Sequence, residues 1–234
     1  MKAKKKLKEY LTRGVRRLKH RKGFGVHSPF AYSVITEVIE EKAPYYAYQR
    51  MRRMYAGGRR TPRQAPMPFK AACLLLRLAN RFRVRRVLEV GCDGGYTLLP
   101  LLLVDSRNEI HAIATEAAQC TFGQNFAWVG ERDRARVAFA ARPDDVPQEL
   151  VADLIAINDL PDGMDETALM AYLEGRMHER TVLWVRGIRP GQRLESLWDR
   201  LCDRDDIAIT MDLYDYGLAI RKPRFYKQHY IVSF

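Results

Sequence analysis

The stretch Arg86-Val-Leu-Glu-Val-Gly-Cys-Asp-Gly-Gly-Tyr-Thr-Leu-Leu99 decides how the rest of this chain is read. An aliphatic run, 86–91, has the composition of a buried strand and stops at a glycine. Gly91 leaves room for a ligand to approach the backbone without meeting a Cβ. Gly94 and Gly95 permit a sharp turn and close helix packing. The helix predicted to follow, about 95–104, starts with free N–H groups that can meet polar ligand atoms. The pattern is E-x-G-x-x-x-G, with Glu89 two residues before the first glycine. A dinucleotide-binding strand would carry GxGxxG there.

Downstream, residues 109–115 form the next predicted strand, which ends at Glu116, 21 residues after Gly95. That is the spacing of one βαβ unit, and a carboxylate at a second-strand tip can accept hydrogen bonds from both hydroxyls of a ribose. Further strands are predicted at 135–141, 153–158, 181–186, 207–214 and 217–222. Helices are predicted at 118–130, 165–178 and 192–203. Upstream, Ala71, Leu74, Leu75, Leu78, Ala79 and Phe82 share one helical face. Strands alternating with helices specify an α/β fold, a mostly parallel sheet with helices on both faces. Only Asp215-Tyr216 separates the last two strands, which predicts an antiparallel hairpin, and a tail strand at 230–234 can add to it.

Here the sequence resembles a known family. The stretch 86–99 with Glu116 looks like motif I and the following acidic position of class I S-adenosylmethionine (SAM)-dependent methyltransferases. Gly91-Cys-Asp-Gly-Gly-Tyr-Thr97 is similar to the glycine turn of catechol-type O-methyltransferases. Gly25-Val-His-Ser-Pro-Phe-Ala-Tyr32 resembles bacterial methyltransferase-like proteins with a helical N-terminal extension. The resemblance, over about 70–222, implies a Rossmann-like methyltransferase fold with seven strands, the last reversed, and SAM as cofactor. It assigns Glu89, Gly91 and Gly95 to motif I and Glu116 to the ribose. Asp93 stands where many members have a glycine; its carboxylate could reach the cofactor's ammonium or cap the helix. Asp144 falls where members place a residue near the adenine, though in Arg-Pro-Asp-Asp-Val-Pro it also reads as a turn residue. Asn158 and Asp159 fall beside the methionine moiety and the acceptor. Asp159 is a candidate general base, or a strand-end residue bonded to backbone.

The departures from that family carry equal weight. Metal-dependent members have an acid at the end of strand four and Asp-Asn or Asp-Asp after strand five. This chain has Asn158, then Arg186 and Gly187. A guanidinium repels a divalent ion, so no catalytic metal is expected. The family's lysine after strand four is replaced by the run Leu160-Pro-Asp-Gly163. Arg186 and Arg189 read either as binders of an anionic substrate or as solvated strand-end charges. Trp184 reads as core, and Trp128 and Trp198 as helix-packing residues.

Charge divides the chain. Of 40 Lys+Arg and 28 Asp+Glu, residues 1–63 hold 18 basic and four acidic, a net of +14, and residues 64–234 hold 22 and 24, a net of −2. Residues 1–63 therefore read as a basic helical N-terminal extension, and 64–234 as the SAM-binding methyltransferase domain. Leu7, Leu11, Val15 and Leu18 recur at helical spacing, predicting an amphipathic helix over about 3–20 whose apolar stripe either docks on the body or touches a membrane surface. Ser28 and Pro29 signal the start of a second helix, to about 41. Pro44 breaks it, a third helix covers 45–55, and a loop covers 57–68. Residues 1–22 carry eleven Lys/Arg and no apolar run, unlike a secretory signal. The apolar run at 96–104 falls well short of the roughly 20 residues that cross a bilayer. Cys73, Cys92, Cys120 and Cys202 have neither CxxC nor zinc-ligand spacing, which suits a reducing cytoplasm. At 47% hydrophobic and 29% charged, the chain is expected to fold.

Three functions fit. One is a metal-independent methyltransferase acting on an oxygen or nitrogen of a small-molecule acceptor. Another is an RNA-directed methyltransferase that holds nucleic acid with residues 1–63. The third is a non-catalytic cofactor-binding protein of the same fold. The extension could also serve as a lid, a homodimer contact or an attachment to an anionic membrane.

Overall fold

The structure, a computed structural model, describes residues 11–12, 14–16, 18–20, 23, 25–61 and 65–234. At its centre, β1 (Arg86–Val90) pairs in parallel with β2 (Glu109–Ile113) on one side and β4 (Ala152–Ile157) on the other, and Val90 stands level with both Ile113 and Ile157. β3 (Val137–Ala140) extends the sheet beyond β2, and β5 (Met177–Arg186) extends it beyond β4, all parallel. The chain runs outward from β1 in one direction and restarts at β4 in the other. The ends of β1 and β4 therefore flank a topological switch point, where ligands of open α/β sheets bind.

The sheet has eight strands in the order β3-β2-β1-β4-β5-β7-β6-β8, one more than the seven expected. β7 (Tyr216–Arg221) runs antiparallel to both β5 and β6 (Ile207–Asp212), and the tail supplies β8 (Gln228–Ile231), parallel to β6. The hairpin reverses at 213–215, earlier than the sequence suggests. Asp212 Oδ1 accepts the Tyr214 N–H at 2.6 Å and Tyr214 takes φ +79°, an Asx-type turn that the hydrophobic pattern does not reveal. β5 begins at Met177 rather than 181, because its first residue pairs with Ala152 before a bulge.

Alternate residues of each strand face opposite layers. Val87, Ala112, Leu154 and Trp184 lie under α3 (Phe69–Arg81), α4 (Leu98–Val104) and α5 (Glu116–Asn125). Leu88, Ile113, Ile155 and Leu183 lie under α7 (Glu166–Glu174) and α8 (Glu195–Asp203). The helix expected over 118–130 ends at Asn125, and a separate single turn, α6 (Glu131–Arg134), follows before β3. Trp184 is fully buried and stacks on Tyr216 at 4.7 Å, and Trp198 closes over Gly217. Trp128, expected to pack, is 37% exposed.

In the N-terminal section, Ser28 Oγ accepts the Ala31 N–H at 3.3 Å and Pro29 opens α1 (Pro29–Val34), which continues as a π-helical turn, Ile35–Ile39. α2 (Ala47–Gly57) follows. Ala31, Val34, Met51 and Met54 join one apolar cluster with α3, so the boundary at residue 63 marks a change of composition, not of core. Buried Arg77 of α3 ties the layers. Its guanidinium donates to Val38 O (2.6 Å), Ile39 O (3.2 Å) and Tyr48 Oη (2.8 Å), filling carbonyls that a helix end leaves open. Of the basic helix, residues 11, 12, 14–16, 18 and 19 are helical. Residues 1–10, 13 and 17 of that section, and 62–64 of the loop, lie outside the described residues. Among the described residues no helix is long and apolar enough to cross a membrane, and all four cysteines are unpaired.

Candidate active site

A cavity of about 510 Å³ opens at the C-terminal ends of β1 to β4. Gly91 and Cys92 form its floor. Ala114, Thr115, Ala117 and Ala118 form one wall, Ala141 to Pro143 the second, and Asp159 to Asp162 the third. Its walls carry small alanine side chains, and its volume is within the size range of small-molecule sites. Gly91 takes φ +80°, and an added Cβ would lie 2.8 Å from both the backbone N and the Cβ of Asp159. The strand tips of β1 and β4 can approach this closely only because Gly91 is glycine.

Beneath this floor lies a sealed polar cluster. The Asp93 carboxylate accepts the Thr97 N–H (2.9 Å) and Oγ1–H (3.0 Å), holding the turn that leads into α4. Arg186 Nη1 stands 3.6 Å from Asp93 Oδ2, while Nη2 donates to Ala65 O at 2.6 Å. Asn158 Nδ2 donates to Glu89 Oε1 at 2.9 Å and lies 3.1 Å from Thr97 Oγ1. Glu89 and Asp93 are both fully buried. Burial, reinforced by the Asp93 charge, pushes the Glu89 carboxyl well above its ordinary value of 4.5. Burial also raises Asp93, but the Thr97 hydrogen bonds and the Arg186 cation oppose the rise. Burial raises both carboxyls, and of the two it is Asp93 that has a cation beside it to oppose the rise.

This has a consequence for pH. As pH rises past 4.5 the unfolded chain releases the Glu89 proton and the folded chain keeps it, so stability falls until the raised folded value is reached. Glu89→Gln keeps the acceptor for Asn158 and removes this loss. Urea midpoints measured from pH 4 to 8 are expected to decline less with pH in the variant than in the wild type.

The N-terminal section closes over the glycine turn. Asn125 of α5 accepts the Arg59 N–H (2.6 Å) and donates to Arg59 O (3.0 Å) and Gly94 O (2.9 Å), which brings Thr61 onto the cavity wall. Gly94 and Gly95 have φ +79° and +100°. A Cβ on Gly94 would meet Thr121 and Thr61 at 2.8 and 3.0 Å, and one on Gly95 would meet Phe126 and Phe122.

No protein-family model and no curated protein sequence matches the chain. Solved structures do. An O-methyltransferase from Bacillus cereus in complex with SAH is 18% identical, with a TM-score of 0.55 over 81% of this chain and 97% of that one. The O-methyltransferase of tomaymycin synthesis from Streptomyces achromogenes, in complex with SAM, is 18% identical, with a TM-score of 0.54 over 77% and 91%. The chain has the class I O-methyltransferase fold. A methyltransferase from Geobacter sulfurreducens shares it as well, with a TM-score of 0.57 at 13% identity over 81% of this chain and 96% of that one.

Within this methyltransferase fold the eight candidate residues separate into three groups. Gly91 and Asp159 line the cavity. Glu89, Asp93 and Asn158 lie under it in the polar cluster, with Asp93 bonded to Thr97, the residue before α4, and Gly95 packs against Phe122 of α5 and Phe126. Glu116 and Asp144 are exposed at the rim, while their neighbours Thr115, Ala117, Arg142 and Pro143 do the lining. Asp144 sits in a short 3-10 turn, Pro143–Asp145, as its turn reading suggests. Arg186 is not a freely solvated charge: its side chain is 17% exposed and paired with Asp93. Arg189 is paired with Asp215 at 2.7 Å and stacks on Tyr214. Among the described residues no group of three or more His, Cys, Asp or Glu could hold a metal ion. Thr61, Arg142 and Asp162 were missed by sequence reasoning. Arg142 lies two residues from Asp144, within reach of a one-turn error, but nothing local marks Thr61.

Proposed function

We propose that the protein is a SAM-dependent methyltransferase that methylates an oxygen or nitrogen of a small molecule without a metal ion. The observation that carries this reading is the cavity at the β1–β4 switch point, floored by a positive-φ glycine in a methyltransferase-fold sheet. The residues present fit the nucleoside end of the cofactor. The alanine walls accept a flat base, Thr115 and the start of α5 offer polar atoms to the ribose, and Glu116 stands at the rim, one residue from both Thr115 and Ala117 of the lining. The Gly91 backbone and Asp159 face the reacting end. Bound SAM supplies an already activated methyl group, so the protein's part is alignment and proton removal. Asp159 is the proposed base: it lines the cavity, and its Oδ1 is held by the Leu160 N–H (2.9 Å) and Arg193 (2.8 Å). In the strand-end positions that hold metal ligands in related enzymes, the Arg186 guanidinium already provides positive charge beside Asp93.

Titration calorimetry with SAM tests the reading. Wild-type protein is expected to bind, and Glu116→Ala to bind about tenfold more weakly through loss of charge-assisted hydrogen bonds. Equal affinity would leave the ribose to Thr115. Absence of binding by the wild type would remove the proposal. With labelled SAM and a metabolite extract, Asp159→Asn should keep cofactor affinity and lose methyl incorporation.

A further inference from the structure

The basic helix is docked the opposite way round from an ordinary amphipathic helix. Thr12, Arg16 and His20 recur every four residues and are the partly covered positions among the described residues of this segment. Arg16 makes a bidentate ion pair with Asp212 at 2.7 and 2.8 Å and lies over the Tyr214 ring, and His20 O accepts the Ser233 N–H at 3.0 Å. The polar stripe therefore grips the body. The apolar stripe points away from it: Leu11 is 59% exposed, Val15 50% and Leu18 77%. At about 100° per residue these three fall within roughly 60° of arc, a single continuous face. Water is an unfavourable partner for that face.

We propose that this face lies on an anionic lipid surface. Charge selects the occupant: residues 1–22 contain eleven Lys/Arg and one acid, Glu9. A basic helix with a separate aliphatic stripe is built to bury the stripe at the acyl boundary while its cations meet lipid phosphates. Nucleic acid would satisfy the cations and leave Leu11, Val15 and Leu18 in water. The anchor also fixes orientation. Asp212 pairs with Gly217, and the adjacent Tyr216 pairs with Arg186 at the end of β5, so the helix is fastened at the same end of the sheet as the cavity, three strands from β4. That end would lie beside the bilayer. This inference is independent of what the cavity binds.

The test is sedimentation of the full-length protein with phosphatidylcholine vesicles, with and without about a third phosphatidylserine. Retention is expected on the anionic vesicles and is expected to weaken at high salt. The neutral double variant Leu11→Gln/Leu18→Gln changes only exposed positions and should lower partitioning about tenfold with an unchanged circular dichroism spectrum. Leu18→Trp should shift its emission to the blue on anionic vesicles. Equal partitioning of the double variant, retention on neutral vesicles alone, or no retention on either would overturn the proposal. So would capture by polyuridylate in place of vesicles, or self-association that the double variant abolishes.

Discussion

Gly91→Val is expected to weaken SAM binding severely and to destabilise the protein. The backbone at Gly91 has φ +80°, which costs a β-branched residue at least about 1–2 kcal/mol. The first side-chain carbon would lie 2.8 Å from the Asp159 backbone N and Cβ, so β1 and β4 must separate at the point where they form the cavity floor. Because backbone lies opposite, no rotamer change relieves the contact. Calorimetry is expected to show affinity reduced by more than about a hundredfold, with a thermal midpoint several degrees lower. The contrast is Gly123→Ala. Gly123 is exposed in α5, with no atom within 4 Å of an added Cβ and no positive φ. Alanine there should raise stability by about 0.5–1 kcal/mol and leave SAM affinity unchanged. If Gly91→Val bound SAM like the wild type, the cavity at the switch point would not be the cofactor site.

Arg77→Ala is expected to cause the largest loss of stability among the substitutions considered. It removes a buried guanidinium and leaves the carbonyls of Val38 and Ile39 without the donors that fill them. Hydrogen bonds from a charged group contribute about 1.5–3 kcal/mol each, and stranding buried acceptors adds to the loss. Since the exposed reference also hydrogen-bonds to water, a net cost of about 3–4 kcal/mol is expected. For a chain of this length that lowers the thermal midpoint by about 10 °C. The damage should be local in character. Hydrogen exchange is expected to quicken first in α1, the π-helical turn and α2, which Arg77 fastens to α3, and last in β1, β4 and β5. A midpoint within 2 °C of the wild type would mean that water replaces the guanidinium and that the N-terminal layer is held by apolar contact alone.

The sheet was largely legible in the sequence because its signals are local. Aliphatic runs at 86–91, 109–115 and 153–158, separated by helical periodicity, specify parallel strands whatever the rest of the chain does. The glycine turn, the Ser28-Pro29 cap and the hairpin after β6 are likewise encoded within a few residues. Errors appeared where pairing overrode propensity. β5 starts early because Met177 finds Ala152, and the expected tail strand begins at Gln228 rather than 230, where it finds an open edge on β6.

The site divides along the same line. Sequence by itself determined the class of fold, the basic extension, and the glycine that lets two strand tips meet around a ligand. Only the tertiary structure decided which polar groups face that ligand. Asp93 is paired with Arg186 and bonded to Thr97, and Asn158 is bound to Glu89, so these three motif residues lie beneath the floor rather than on a wall. Thr61 reached the cavity through an Asn125 clamp spanning 66 residues, and Arg16 turned the N-terminal helix outward by pairing with Asp212, 196 residues away. The physical reason is common to these cases. A strand or turn is stabilised by its own neighbours in the chain, whereas a buried charge takes whatever partner the completed fold brings within reach, and that partner determines which way the side chain points.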